Sequence, residues 1–261
     1  MPANSRAARS RSFGAMAAAY ERYRPEYPDV LVQLIGEYAD APIRTALELG
    51  AGTGKATRLF VQHGITVTAS DPDEEMLQQL AATLPGTATV TASLEALPDL
   101  GSFDLVLAAA SLHWTEPEGR WDRIAGLLHP GGVFANFGGA PYLADPALEQ
   151  AMEDAQRPWL VDDSPAGPVE STEDGMRWPA GELVGDPRFT DVRELTIEQR
   201  FESMTQDWIG YLSTVSAYLM LDAEDRDATF DAITAALPDA VELRADLTLH
   251  LARRVGAAQI A

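Results

Sequence analysis

Cysteine is absent from the 261 residues, which excludes a disulfide framework, a thiolate nucleophile and a zinc knuckle. Histidine is scarce, and His63, His113, His129 and His250 are too scattered to form an H-x-x-x-H pair, so no metal centre is expected. Positive charge is sparse too. Lys and Arg number 19 against 40 Asp and Glu, for a formal charge of -21. A phosphate backbone needs clustered cations, so no nucleic-acid partner is expected. No apolar run approaches the length of a bilayer span, and the N-terminal arginines precede no apolar h-region. The expectation is a cytoplasmic protein with no membrane partner. A chain of this length buries one substantial core, as one large domain or as a core with a small cap. It carries no signal of oligomeric state.

Glycine, by contrast, is concentrated in TALELGAGTGKAT, Thr45 to Thr57. An apolar run from Ala46 to Leu49 reads as the end of a buried strand; Gly50, Gly52 and Gly54 alternate; Lys55 to Gln62 resumes at helical spacing. Glycine permits the sharp turn and lets a ligand approach the backbone, and the helix N-terminus presents unpaired N–H groups to an anion. This is the grammar of a cofactor loop. A P-loop needs a glycine where Leu49 stands and a hydroxyl where Ala56 stands. The dinucleotide fingerprint needs its third glycine where Lys55 stands, and Glu48 just before the loop is an awkward neighbour for a pyrophosphate. NAD is therefore the second reading, and a plain glycine turn closing a βα unit stays open.

The remaining pattern, E-x-G-x-G-x-G from Glu48 to Gly54, resembles motif I of the class I S-adenosylmethionine (SAM) dependent methyltransferases. The resemblance implies an α/β, doubly wound, Rossmann-like seven-stranded sheet with a helical cap, and SAM as cofactor. Glu48 would then attract the SAM ammonium directly or through water, while Gly50, Ala51, Gly52, Thr53, Gly54 and the helix N-terminus receive its carboxylate. ITVTASD reads as the second strand, ending at Asp71 about 20 residues beyond the loop, where an acid can accept both ribose hydroxyls in either cofactor family. Asp71 with Pro72 also reads as a helix cap with proline at the first helical position. Met76 lies on the buried face of the next helix and, by the resemblance, near the adenine. Ser93-Leu94-Glu95 resembles the adenine-bordering G-D-A-E-x-L-P segment, with Ser93 in place of its aspartate. The adenine amino contact then passes to the Ser93 hydroxyl or the Leu94 backbone. FDLVLAAA is apolar like a strand buried on both faces. It runs from Phe103 to Ala110, with Ala109 beside the cofactor by the resemblance, and delivers Ser111-Leu112-His113-Trp114 to the carboxyl edge of the sheet, where α/β proteins bind ligands.

That edge lacks the N-P-P-Y or D-P-P-Y of methyltransferases acting on base amino groups, and the metal-binding aspartate of the magnesium-dependent catechol enzymes. S-L-H-W instead resembles the small-molecule branch that includes the trans-aconitate methyltransferases, over roughly residues 13 to 138. Within it, FGAMAAAYERYRPEYP corresponds to a lid helix carrying Tyr20 and Arg24 toward the cofactor and Tyr23 toward the acceptor. Packing is the other reading of Phe13, Met16 and the tyrosines. The expected division is a tail and lid helix over 1–27, a SAM-binding core over 28–138, a cap over 139–190, and a C-terminal part of the core with helical substrate-side elements over 191–261. Residues 1–12 read as a loose tail, and Asp162, Asp163, Glu170, Glu173 and Asp174 as a solvated acidic surface. One amphipathic helix is expected over 205–220, and the run VELRADLTLHLARRV as the antiparallel seventh strand.

The reading is SAM-dependent methyl transfer to a small-molecule acceptor, at a hydroxyl or carboxylate oxygen or at nitrogen. An NAD-dependent oxidoreductase and a SAM-binding protein that transfers nothing are the alternatives. His113 is the candidate general base, since its ordinary pKa lies near the operating pH; toward a carboxylate it becomes an orienting donor, and packing beside Trp114 is a third reading. Trp114, Trp208 and Tyr211 join Tyr23 as candidate acceptor contacts, with a core face as the alternative for the aromatics of 205–220.

Overall fold

The computed structural model describes residues 17–160 and 176–256. Phe13, Met16, the tail and the five acidic positions from Asp162 to Asp174 lie outside the described residues. In chain order come α1 (Ala17–Tyr23), α2 (Val30–Tyr38), β1 (Thr45–Leu49), α3 (Lys55–Gln62), β2 (Thr66–Asp71), α4 (Glu74–Thr83), β3 (Ala88–Thr91), β4 (Phe103–Ala109), α5 (Arg120–Gly126) and β5 (Leu128–Gly138). Then follow β6 (Tyr142–Leu143), α6 (Pro146–Gln156), α7 (Ala180–Val184), β7 (Phe189–Ile197), β8 (Arg200–Met204), α8 (Thr205–Leu212), α9 (Ser216–Leu219), α10 (Ala223–Ala236), β9 (Ala240–Arg244) and β10 (Leu247–Arg254).

Seven strands form the main sheet in the order β3-β2-β1-β4-β5-β10-β7. β10 runs antiparallel between β5 and β7, and the first five strands are mutually parallel. Both faces are covered, which is why β1, β4 and β5 read as nearly continuous apolar runs. Alternate side chains go to opposite faces. On one face Ala46, Leu105, Leu107, Ala135, Leu249 and Leu251 pack under Leu31 and Ile35 of α2 and Leu59 and Phe60 of α3. On the other, Leu47, Val106, Phe134 and Ala252 pack under Trp121 and Ile124 of α5 and Leu183 of α7. Each large apolar side chain buried here contributes about 1.5–3 kcal/mol.

The sequence expectation for the C-terminal part needs correcting. VELRADLTLHLARRV is two strands: residues up to Arg244 belong to β9, in a second sheet of order β6-β9-β8, and only residues from Leu247 form the seventh strand of the main sheet. Asp246 marks the break, accepting from Gln199 N–H (3.2 Å) and pairing with Arg244. The expected long helix over 205–220 is likewise two. Thr214 turns its hydroxyl back onto the Tyr211 carbonyl (2.7 Å), ending α8; Ser and Thr side chains that bond preceding carbonyls compete with helix propagation. The small sheet and α6, α8 and α10 share a core of Leu143, Met152, Trp208, Leu212, Ile233 and Leu243. The cap is thus drawn from two stretches, 142–156 and 200–244, while residues 177–184 return to the main sheet.

Candidate active site

A cleft of about 1360 Å³ opens at the carboxyl edge of β1, β2, β4 and β5, where a doubly wound sheet separates its loops. Leu49, Gly50 and Gly52 form part of one end with Asp71, Pro72, Met76, Ser93, Leu94 and Glu95. His113, Trp114, Asn136, Arg177, Trp178 and His250 form the other, with Ala109, Ala110 and Gly138 between them. Tyr20, Arg24 and Tyr211 close the cleft from the side of α1 and the cap. A small recess of about 70 Å³ shares that wall and reaches Glu48, Ala51 and Thr53 beneath the glycine turn.

Gly50, Gly52 and Gly54 all adopt positive φ, at 70°, 55° and 90°, so the turn depends on glycine's freedom in the left-handed region. Their surroundings differ. A Cβ on Gly50 would stand 2.5 Å from Ser111 Cβ, and one on Gly54 2.6 Å from Leu80, whereas nothing lies within 4 Å of a Cβ on Gly52. Gly54 is therefore a packing glycine at the start of α3 and does not line the cleft. Gly52 faces open space. Beside it, the Thr53 hydroxyl is buried without a hydrogen-bond partner in the described structure, a group that ordinarily demands one.

Asp71 is almost buried. Its Oδ2 accepts the Gly52 N–H (2.9 Å) and its Oδ1 the Asp73 N–H (2.8 Å). Burial pushes its pKa up to about 6, with the two amide bonds opposing. The helix cap is Asp73, which accepts from Glu75 and Met76 N–H; Asp71 is thereby left to the turn and the cleft, which corrects the reading of Asp71-Pro72 as the cap. Glu48 is more deeply enclosed. Burial pushes its pKa up to about 8, opposed by the bond from the Thr57 hydroxyl (2.5 Å) and reinforced by the charge of Asp71.

The stretch from α1 to Glu26 is tied down at two points. Lys55 and Arg58 of α3 bond Glu26 (2.7 and 3.0 Å), and Arg58 also pairs with Glu21. Arg24 donates to the Thr214 hydroxyl and carbonyl (both 2.9 Å), with its guanidinium over the rings of Tyr20 (4.9 Å) and Tyr211 (4.6 Å). Arg24 is thus a latch between α1 and the cap.

Tyr23 and Trp208 do not line the cleft. Tyr23 packs against Gly210, where a Cβ would stand 2.4 Å from its ring. Trp208 stacks on Tyr211 (5.0 Å, 5°) inside the cap core, with its indole N–H toward Met152 Sδ at 3.3 Å. Burying the indole with Met152 as its partner leaves Trp208 no face for an acceptor. His113 is exposed at the rim of the cleft, its ring 4.7 Å from that of Trp114. Asn136, Arg177, Trp178 and His250 escaped the sequence reading as residues of one site.

Residues 47–136 match the family model described as a methyltransferase domain. Over that stretch the chain is similar to methyltransferases. The chain is 43% identical over 129 residues to an uncharacterized methyltransferase of Mycobacterium bovis, an alignment covering 49% of the chain and 52% of that relative. A trans-aconitate 2-methyltransferase of Rhizobium leguminosarum is 32% identical over 151 residues, covering 55% of the chain and 57% of the relative. The chain spans about half the length of the curated relatives it matches. Among solved structures, a candidate type II methyltransferase from Anaeromyxobacter dehalogenans superposes with a TM-score of 0.65 at 25% identity, covering 90% of this chain and 99% of that one. The α/β sheet, with its antiparallel β10, has the class I methyltransferase fold.

Proposed function

We propose that this protein is a SAM-dependent methyltransferase acting at oxygen or nitrogen of a small-molecule acceptor. The observation that carries the reading is the chemical division of one cleft: a glycine turn and the buried Asp71 at one end, with Glu48 in the recess that shares its wall, and aromatic rings and histidines at the other. The residues at the first end fit the cofactor. Gly52 leaves open space for a ligand against the backbone, Thr53 has an unused hydroxyl, and the N-terminus of α3 favours a carboxylate. Glu48 and Asp71 suit an ammonium and a ribose, with Pro72, Met76, Ser93, Leu94 and Glu95 around an adenine. SAM, once bound, supplies an electrophilic methyl on a sulfonium that loses its charge as the methyl leaves. The protein's share is to position the acceptor and exclude water. Tyr20 and Arg24 close the cofactor side, and Trp114 and Tyr211 flank the acceptor, with His113 orienting it from the rim.

The reading is tested by calorimetric titration with SAM, S-adenosylhomocysteine and NAD. Micromolar binding of the two adenosyl ligands alone is expected, and binding of NAD alone would overturn the assignment.

The enclosed acid makes a pH prediction. Below about pH 8 Glu48 holds a proton in the cofactor-free protein, and pairing with an ammonium requires the carboxylate, so binding expels a proton. Affinity for S-adenosylhomocysteine should therefore rise with pH between 6 and 8, by up to about tenfold per unit, and then level off. Glu48→Gln should flatten the profile. A wild-type affinity independent of pH would remove Glu48 from the ammonium site. The latch gives a second expectation. Arg24→Ala should weaken S-adenosylhomocysteine binding roughly tenfold, about 1.4 kcal/mol, and speed amide exchange in α1. Arg24→Lys should recover little of this, since an ammonium lacks the planar fork that reaches Thr214 while stacking on two rings.

A further inference from the structure

Three strands carry a polar row, two of whose members, Asn136 and His250, line the cleft. Asn136 of β5 lies opposite His250 of β10, and His250 opposite Glu194 of β7; directly opposed residues project to the same face of a sheet. Two residues back along the strands the same face is apolar, with Phe134 opposite Ala252. The change from apolar to polar falls where the sheet begins to line the cleft, at Asn136, Thr248 and His250. His250 is 3% exposed. Its Nε2 lies 3.0 Å from Glu194 Oε2, and its Nδ1 3.5 Å from Asn136 Nδ2. Glu194 is itself fixed by Arg177, whose backbone N–H donates to Oε2 (2.7 Å) and whose Nε donates to Oε1 (3.1 Å).

This arrangement selects a protonation state. An acid at Nε2 favours the tautomer with its proton there and leaves Nδ1 with a lone pair on the side of Asn136. Burial lowers the pKa of His250, Glu194 opposes that, and the nearby Arg177 cation lowers it further, while a hydrogen bond with the Asn136 backbone favours the protonated form, the smallest of these effects. Burial raises the pKa of Glu194, but the hydrogen bonds from the Arg177 backbone and guanidinium, with the charge of that guanidinium, hold it below the usual carboxylate range. The pair therefore presents a neutral imidazole backed by a carboxylate, in the pattern of an oriented general base.

We propose that His250 is the catalytic base of the methyl transfer, with Glu194 as its positioning residue, and that the acceptor group is a hydroxyl or a neutral amine, with an O–H or N–H proton to give up, rather than a carboxylate. The inference rests on the methyltransferase reading and narrows its substrate class. The acceptor oxygen or nitrogen forms a bond to the methyl carbon as the sulfur–carbon bond of SAM breaks. The sulfur keeps the electron pair as a thioether, and the proton released by the acceptor goes to His250 Nδ1 and from there to water. A carboxylate acceptor has no proton to give, and a neutral imidazole offers it no charge. His113, exposed at the rim, orients the acceptor without taking the proton.

The test has two readouts on the full chain. Nitrogen-15 NMR of the imidazoles, with His250→Gln as the assignment variant, is expected to show His250 neutral at pH 7 and protonated at Nε2. An imidazolium, or a proton on Nδ1, would overturn the proposal. The second readout is S-adenosylhomocysteine formation from SAM with a panel of phenols, aliphatic alcohols and primary amines, set against trans-aconitate and benzoate. Turnover is expected on a hydroxyl or amine, falling at least about 100-fold in His250→Gln while the Kd for S-adenosylhomocysteine stays within about twofold. Glu194→Gln keeps an oxygen for Nε2–H but removes the charge, so kcat should fall about tenfold and the acid limb of its pH profile should move to lower pH. A merely structural Glu194 would leave that limb in place. Turnover on carboxylates only, or none on the hydroxyls and amines by a wild type that binds S-adenosylhomocysteine, would overturn the proposal. Failure of the wild type to bind either adenosyl ligand would instead overturn the methyltransferase reading beneath it.

Discussion

Asp71→Ala is expected to weaken S-adenosylhomocysteine binding at least about 100-fold, measured by calorimetry on folded protein. The carboxylate is the proposed acceptor for two ribose hydroxyls, and each hydrogen bond to a charged group contributes about 1.5–3 kcal/mol. It also holds the glycine turn through Gly52 N–H, so the substitution removes ligand contacts and loosens the surface that binds the rest of the cofactor. Asp71→Asn separates the two roles. A carboxamide oxygen can keep the Gly52 bond, so the turn should persist while ribose binding weakens by roughly tenfold. Unchanged affinity in Asp71→Ala would place the ribose elsewhere.

Gly139→Ala is expected to lower stability by roughly 3 kcal/mol, at the upper end of ordinary overpacking costs. A Cβ at this position would stand 2.0 Å from the Asp246 carbonyl oxygen. The obstacle is backbone, so relief requires the end of β5 to move away from the junction of β9 and β10. For a domain of this size the thermal midpoint should fall by about 10 °C. Gly36→Ala is the control. That glycine lies inside α2 with nothing within 4 Å of the added carbon, and the replacement should raise stability by about 0.5–1 kcal/mol. Equal midpoints for the two variants would show that the β5 end yields easily.

The parts of the molecule legible in the sequence are those whose chemistry is local. The glycine turn, the strand before it and the acid ending β2 sit within a short stretch, and strands buried on both faces announce themselves as apolar runs. The polar row escaped notice because sheet register assembles it across 56 residues between Glu194 and His250 and 114 between Asn136 and His250. A signal was present in VFANFG, where Asn136 interrupts a strand that is otherwise apolar on both faces. Trp208 was misplaced for the converse reason. An aromatic on an amphipathic helix has the same spacing whether it faces a ligand or a core, and only the position of Met152, 56 residues away, decides it. The seventh strand was recognised by its alternation, but alternation continues through Ala245 and Asp246, so the division between two sheets left no trace in periodicity.

The position of β10 has a consequence for how the chain is made. It is inserted between β5 and β7, so every strand of the main sheet leaves the ribosome before the one that joins its two parts. Until residues 247–254 emerge, β5 presents an open apolar edge, the kind of surface that pairs with another chain, and β7 has no partner in the sheet. Contacts so distant in sequence form slowly. Nascent chains stalled before Leu247 should accordingly be held by chaperones or aggregate, and the cleft, whose floor includes Thr248 and His250, is completed only at the last step of assembly.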